Sequence, residues 1–221
     1  MRRLLRDNGL SLVLLALFAG SMIGQSTSGW GVFNQDQADH GQAEIGYLAY
    51  LRTAHFVEAV FENWESEFLQ MAVYVLLTAF LIQRGSAESK DPDQPDPPEA
   101  DPDRARHDPN APWPVRRGGV ALTVYRHSLS LALALLFALS FWFHAAGGAR
   151  EYSQEQMTHG GQPVSTGAYL GTAQFWFESF QNWQSEFLSI GALVVLSIFL
   201  RQQGSPESKP LGASHAKTGA E

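Results

Sequence analysis

Long apolar stretches alternate with polar stretches along the chain. Four blocks hold most of the apolar residues, at positions 10–24, 68–82, 128–148 and 187–200. A bilayer core about 30 Å thick needs about 20 residues of helix, and only the third block approaches that length without its neighbours. The pattern therefore predicts an all-α integral membrane protein with four transmembrane helices, three of which extend into flanking residues.

The second half of the chain repeats the first with a constant offset of 119 residues. FENWESEF at 61–68 returns as FQNWQSEF at 180–187, and 36 of the 83 pairs between 8–90 and 127–209 are identical. Such self-similarity predicts two two-helix repeats. The first block begins like a secretory signal peptide, but its counterpart is internal, so we interpret it as a retained span.

Basic residues predict the orientation of the helices. Thirteen of the 15 lysines and arginines precede the first block, separate the second from the third, or follow the fourth; Arg52 and Arg150 are the other two. By the positive-inside rule, both termini and the central linker are cytoplasmic. Each repeat therefore leaves the cytoplasm and returns, and the two repeats are parallel.

Composition divides the chain into four segments. They are a first membrane repeat at 1–85, a linker at 86–118, a second membrane repeat at 119–204 and a C-terminal tail at 205–221. The linker is rich in proline and acidic residues and has almost no apolar content, so we predict that the linker and the tail are disordered. Eight of the 22 acidic residues lie in the linker, so the acidity of the chain is concentrated there, and a nucleic-acid footprint is absent.

An aromatic stretch precedes the second apolar block of each repeat. Aromatic and aliphatic residues recur at helical spacing in 47–61 and again in 169–180. We predict a helix there that lies at the outer membrane interface, where tyrosine and tryptophan are enriched. A straight extension of the following span explains the spacing equally well.

The second helix of each repeat carries a polar stripe beside an aromatic face. Positions 63, 67, 70, 74 and 78 are four, three, four and four residues apart, which places them on one helical face. The stripe consists of Asn63, Glu67, Gln70, Tyr74 and Thr78 and, in the second repeat, Asn182, Glu186, Ser189 and Ser197. The aromatic face consists of Trp64, Phe68, Trp183 and Phe187. We predict that the stripe faces the helix bundle rather than lipid.

Glu67 and Glu186 are the matched acids of the stripe. An ionisable residue in a membrane segment suggests a functional site, so the pair could pass a proton, line a cation path or bind a ligand. A glutamate in the first turn of a helix also offsets the helix dipole. The sequence leaves these alternatives open and favours the structural role.

His40 and His159 are weaker candidates for a metal site. Each precedes a glycine in the outer loop of its repeat, and a turn that ends in a flexible glycine explains the pair more simply. The chain has no cysteine, which excludes thiolate ligands, disulfides and cysteine nucleophiles. We therefore predict no cofactor and no metal ion.

Two strings carry a family resemblance: RRLLRDNGLSLVL at 2–14 and HFVEAVFENWESEFLQMAVYVLLTAFLIQRGSAESKDPD at 55–93. They resemble bacterial membrane proteins catalogued as domain of unknown function 6766. The resemblance covers nearly the whole chain outside the linker and tail, and it implies a multi-pass protein of the bacterial inner membrane. It supplies no activity, so no catalytic residue is carried over. The second copy departs at Gln181 and Gln184, where the first has Glu62 and Glu65.

The leading functional hypothesis is a non-enzymatic membrane component with a structural or partner-binding role. It follows from a duplicated scaffold without a recognisable nucleophile, metal or nucleotide constellation. A small channel or proton-coupled carrier that uses Glu67 and Glu186 is the alternative, and a membrane enzyme comes third. The expected partners are the lipid bilayer and either another membrane protein or a second copy of the chain, with no nucleic acid. Substrate, partner and oligomeric state stay open.

Overall fold

The computed structural model describes residues 2–91, 93 and 105–219. This part of the chain contains helices and no strand. The helices are α1 (Arg2–Asp39), α2 (Tyr47–Tyr50), α3 (Ala54–Phe80), α4 (Trp113–Arg117), α5 (Gly119–Arg126), α6 (Ser128–Thr158), α7 (Thr166–Tyr169) and α8 (Ala173–Phe199). Residues 92 and 94–104 of the predicted linker lie outside the described residues, so disorder of the linker stays a prediction.

Three of the described helices are long and apolar enough to cross a membrane. They are the Arg6–Asp39 part of α1, the whole of α6 and the whole of α8. They contain the first, third and fourth apolar blocks, and many of their large apolar side chains are exposed; Leu10, for example, is 76% exposed. Large exposed apolar surfaces mark a membrane or protein interface. The all-helical fold is confirmed, together with three helices that could span a membrane.

The second apolar block lies in α3, which is not one of these three helices. α3 has 27 residues, but four glutamates lie in its first half, so its uninterrupted apolar part is short. α3 begins at Ala54 and continues without a break to Phe80, and α8 is similarly continuous from Ala173. From Ala54 and Ala173 onward, the aromatic stretch of each repeat is therefore continuous with the following apolar block, whereas Tyr50 and Tyr169 lie in the separate short helices α2 and α7. A location of these segments at the outer membrane interface stays a prediction.

α1 and α6 end in the same way. Gly41 follows α1 with a φ of 68°, and Gly160 follows α6 with a φ of 79°. Glycine is favoured at this position because other residues rarely adopt a positive φ. The turn predicted after His40 and His159 is therefore present at the end of both helices.

The described chain divides into two compact units. Unit 1 comprises Met1–Phe61 and Phe143–Thr172, and unit 2 comprises Glu62–Trp142 and Ala173–Glu221. Each unit thus takes residues from both predicted repeats. The four predicted segments rest on the sequence repeat and on composition, and they stay predictions.

Two glycines in the helices of unit 1 give room to buried tyrosines. A Cβ atom on Gly29 would overlap the hydroxyl of Tyr50, and one on Gly148 would lie 2.6 Å from Cε1 of Tyr169. The two tyrosines are 1% and 0% exposed, respectively. Because both glycine positions and both tyrosine positions are 119 residues apart, the two repeats use the same close packing.

Unit 1 also anchors each of its loops to the preceding helix. Nδ2 of Asn34 donates to the carbonyl of Ile45 at 3.0 Å, and the amide of Ile45 donates to Oδ1 of Asn34 at 2.9 Å. At the corresponding positions, the amide of Val164 donates to Oγ of Ser153 at 2.9 Å. These bonds satisfy backbone groups in the loop and fix the path by which the chain returns from each long helix.

Candidate functional site

A groove of about 930 Å³ lies in unit 1 beside the ends of α1 and α6; we call it the helix-end groove. Its titratable lining residues are Asp36, His40, His55, Glu151, Glu155 and His159. Within the described residues, no lysine or arginine lines it. Its apolar lining residues are Val32, Phe33, Ile45 and Met157. A volume of about 300–1,000 Å³ is usual for small-molecule sites, so this groove is the main candidate site of unit 1.

The groove brings together the two histidines that the sequence singled out. Nδ1 of His40 lies 2.9 Å from the carbonyl oxygen of Asp36, and Nδ1 of His159 lies 2.9 Å from that of Glu155. A carbonyl oxygen only accepts hydrogen bonds, so Nδ1 carries the proton in both rings. When the ring is neutral, Nε2 then keeps a lone pair for a ligand.

The helix-end groove does not contain a preformed metal site. Among the described residues, no three ligand atoms from its histidines and acids lie within 4.8 Å of one another. A bound metal ion needs several ligand atoms in its first shell, about 2 Å from the ion for zinc. The structure places His40 and His159 on one groove without gathering them around a single point.

Glu151 is the least satisfied polar group of the groove. Its Oε2 atom is buried and has no hydrogen-bond partner among the described residues. The charges of Asp36 and Glu155 act on the same carboxyl group. Leaving a buried acceptor unsatisfied costs about 1–3 kcal/mol, and more for a charged group. Glu151 therefore marks the position where a ligand with a hydrogen-bond donor would gain most.

Tyr50 and His55 form a half-buried polar contact beside the groove. The Tyr50 hydroxyl lies 3.2 Å from Nδ1 of His55, and Phe33 packs against both rings. Burial raises the pKa of Tyr50, and the charge of Glu151 raises it further. The contact joins Tyr50 of α2 to His55 at the start of α3.

Unit 2 contains the predicted polar stripe, and Gln70 is its central residue. Gln70 is buried, and its Nε2 donates to the carbonyl of Glu186 at 2.8 Å and to Oγ of Ser189 at 3.1 Å. Glu67 is exposed, and its charge acts on Glu186. Asn63 is exposed as well. The structure thus brings four of the predicted residues together and places Asn63 away from the buried face.

The remaining stripe residues lie further along the helices of unit 2. Oγ1 of Thr78 donates to the carbonyl of Tyr74 in its own helix at 2.9 Å. Ser197 is buried, and its Oγ is 2.8 Å from Oγ of Ser86. The stripe residues therefore make contacts within one helix, contacts between α3 and α8, and contacts to the turn that follows α3.

Sequence reasoning missed two acids of unit 2 that accept hydrogen bonds from side chains of α8. Glu65 is 0% exposed, and Nε1 of Trp183 donates to its Oε1 at 3.1 Å. Nδ2 of Asn182 donates to Oε1 of Glu62. The counterparts of both acids in the second repeat are glutamines, so a comparison of matched acids does not select them. The positions at which an acid replaces glutamine were the available signal, because a hydrogen bond between the repeats needs the acid in only one of them.

The predicted aromatic face is only partly exposed. Trp64, Phe68 and Trp183 are half-buried, whereas Phe187 is 41% exposed. Trp183 also packs edge to face against Phe180, with ring centroids 5.4 Å apart. A tryptophan that packs on one side and donates its N–H on the other suits the boundary between an apolar and a polar region.

A pair of matched carboxyl groups, Glu88 and Glu207, lies in unit 2; we call it the carboxyl pair. The charge of Glu207 acts on the carboxyl group of Glu88. Oε2 of Glu88 accepts a hydrogen bond from the Tyr74 hydroxyl at 3.0 Å, whereas Oε1 is buried and has no partner in the part of the chain that the structure describes. Burial raises the pKa of Glu88, and the neighbouring Glu207 raises it further. A neighbouring negative charge favours the protonated form of a carboxyl group.

Lys209 holds the C-terminal tail to the turn after α3. It is 1% exposed, and its Nζ donates to the carbonyls of Gly85, Lys217 and His215 at 2.5, 2.9 and 3.1 Å. The amide of Gly219 also donates to the carbonyl of Ser86 at 2.9 Å. We call this arrangement, Gly85 and Lys209 with residues 213–219, the tail clasp.

The fold defines an all-helical class of protein with helices that could span a membrane. The chain belongs to the family described as a domain of unknown function (DUF6766), whose model matches residues 1–220. The resemblance drawn from the first repeat is confirmed by this match. No curated protein and no solved structure matches the chain. Its function therefore has to be argued from the sites themselves.

Proposed function

We propose that the chain is a non-enzymatic membrane protein that binds a small ligand in the helix-end groove. The observation that carries this proposal is Oε2 of Glu151, a buried carboxylate oxygen that has no partner among the described residues and lies on the wall of a groove of small-molecule size. A ligand that donates a hydrogen bond there would offset the cost of burying the oxygen. This makes the groove, rather than the polar stripe, the principal site.

The proposed protein spans the membrane four times, with α3 as the additional span. At 1.5 Å per residue, the 27 residues of α3 extend for about 40 Å, more than the roughly 30 Å of a bilayer core. Its acids Glu62 and Glu65 accept hydrogen bonds from Asn182 and Trp183, which lowers the cost of placing them near lipid.

The proposed arrangement consists of two parallel repeats in the inner membrane of a bacterium. Contacts between positions 119 residues apart, such as Gln70 with Ser189, support a two-fold relation between the repeats. The distribution of lysine and arginine then favours cytoplasmic termini. In this orientation the helix-end groove faces the outside of the cell, because its residues lie near the ends of α1 and α6 and in the segments that follow these helices.

Single cysteines test both the orientation and the occupancy of the groove. In the Thr158→Cys variant the thiol lines the groove, whereas in Glu44→Cys it is exposed in unit 1 and does not line it. The native chain has no cysteine, so there is no background. We expect a membrane-impermeant maleimide to label both variants in intact cells. We expect at least one of four compounds, spermidine, zinc chloride, citrate and glucose, to slow the labelling of Thr158→Cys. None of them should slow the labelling of Glu44→Cys.

Two results would count against the proposal. Labelling of both variants only after permeabilisation would place the groove on the cytoplasmic side. Equal labelling of Thr158→Cys with and without each of the four compounds would remove the evidence for a ligand site.

A second candidate function is a proton or cation pathway, which is favoured by the interaction between the charges of Glu67 and Glu186. If this pathway operates, the purified protein in liposomes should conduct protons or cations, and the double variant Glu67→Gln, Glu186→Gln should lose most of the flux. Thermal unfolding of the same variant is the control for its fold. A wild-type protein without flux, together with a double variant that is only less stable, would reduce the pair to a structural role.

A further inference from the structure

We infer that the helix-end groove binds a linear polyamine, an alkyl chain that carries two or more protonated amino groups. This inference rests on the proposed function, because it names the chemical class of the ligand for the same groove. Charge, hydrogen-bonding capacity, size and apolar lining support it separately.

The charge of the groove is negative. Asp36, Glu151 and Glu155 line it, and within the described residues no lysine or arginine does so. Three carboxylates on one surface repel one another, and a ligand with several positive charges relieves that repulsion. An anionic ligand would add to it, and a neutral ligand would leave it unchanged.

Several hydrogen-bond acceptors line the groove, beside the amide and hydroxyl groups of its glutamines and threonines, which both donate and accept. Besides the carboxylates, His40 and His159 both use Nδ1 for a backbone carbonyl, so their Nε2 atoms are acceptors when the rings are neutral. Each protonated amino group of a polyamine supplies two or three N–H donors. Donors that are spaced along a chain therefore complement acceptors that are spread along the groove.

The size of the groove and the spacing of its ligand atoms argue against a single metal ion. A volume of about 930 Å³ exceeds what one ion would fill. The histidine and acidic ligand atoms of the groove do not come together in threes within 4.8 Å among the described residues. A flexible alkyl chain can instead reach separated acceptors, while its methylene groups contact Val32, Phe33 and Met157.

Calorimetric titration with spermidine tests the inference on the full chain in nanodiscs of uncharged lipid. We expect saturable binding that weakens at high salt, because charged groups are screened. The Glu151→Gln variant should bind about tenfold more weakly or worse, as expected for the loss of one charge-assisted hydrogen bond. Asp36→Asn should weaken binding in the same direction. Glu44→Gln removes an exposed acid of unit 1 that does not line the groove, and it should bind like the wild type.

Thermal unfolding without spermidine shows whether each variant is folded, and empty nanodiscs measure binding to the scaffold. Wild-type affinity in both Glu151→Gln and Asp36→Asn would overturn the inference. If spermidine does not bind, while zinc chloride, citrate or glucose protects Thr158→Cys from labelling, the polyamine inference fails and the proposed function stands. If none of the four compounds binds or protects, both fail.

Discussion

Replacement of Lys209 by methionine should release the C-terminal tail from unit 2. The lysine is buried, and its Nζ donates to carbonyls on both sides of the contact, that of Gly85 and those of His215 and Lys217. Hydrogen bonds from a charged donor contribute about 1.5–3 kcal/mol each, and methionine leaves these carbonyls without a donor. We expect opening of the tail clasp to become more favourable by about 2 kcal/mol, which is about 30-fold in the equilibrium constant.

Amide hydrogen exchange across residues 205–219 measures this opening. The tail has a matched control in Lys217→Met, which removes the same charge from an exposed side chain. We expect fast exchange in Lys209→Met and wild-type exchange in Lys217→Met. Rapid exchange of this segment already in the wild type would instead support the disordered tail that the composition predicts.

The helical architecture could be predicted because its causes are local. Continuous apolar residues predict helices, and the glycines after His40 and His159 predict where two of these helices end. The repeat also carries information that the apolar pattern does not. Gly29 and Gly148 occupy matched positions of the two repeats, both inside helices. A tyrosine packs against each of them, which explains why both are glycine.

The tail clasp could not be predicted from any local pattern. Lys209 and Gly85 are separated by 124 positions in the sequence, and the tail has the polar composition of a solvated segment. The contacts of Lys209 in the tail clasp are made to backbone carbonyl oxygens, which every residue has. Composition therefore carries no signal for a contact in which one lysine satisfies several main-chain oxygens.

Only some of the residues of the helix-end groove could be predicted from the sequence, for a related reason. His40 and His159 were singled out because they match in both repeats. Glu151 was not, because its counterpart in the first repeat is Val32. Searching for matched residues selects what the repeats share, whereas a ligand site also uses the positions at which they differ. A comparison of matched residues does not select Glu65 for the same reason, because its counterpart is Gln184.

The carboxyl pair should make the tail clasp sensitive to pH. Glu88 has a raised pKa because it is buried beside Glu207, so the closed form binds a proton more tightly than an opened tail would. A group with a raised pKa stabilises the closed form fully below its ordinary pKa and loses that contribution as the pH rises through the raised value. We therefore expect residues 205–219 to be better protected in mildly acidic solution than in alkaline solution.

Glutamine at position 88 separates this mechanism from a general effect of pH. An amide is uncharged at every pH and is not repelled by the charge of Glu207, so Glu88→Gln should keep the tail closed in alkaline solution. Asp93→Asn is the control, because Asp93 is an acid of the same segment that pairs on the surface with Arg84 at 2.7 Å. Hydrogen exchange, corrected for the intrinsic effect of pH, should depend on pH in the wild type and in Asp93→Asn but not in Glu88→Gln. The same pH dependence in all three proteins would show that the proton is bound elsewhere, and the carboxyl pair would then contribute only to packing.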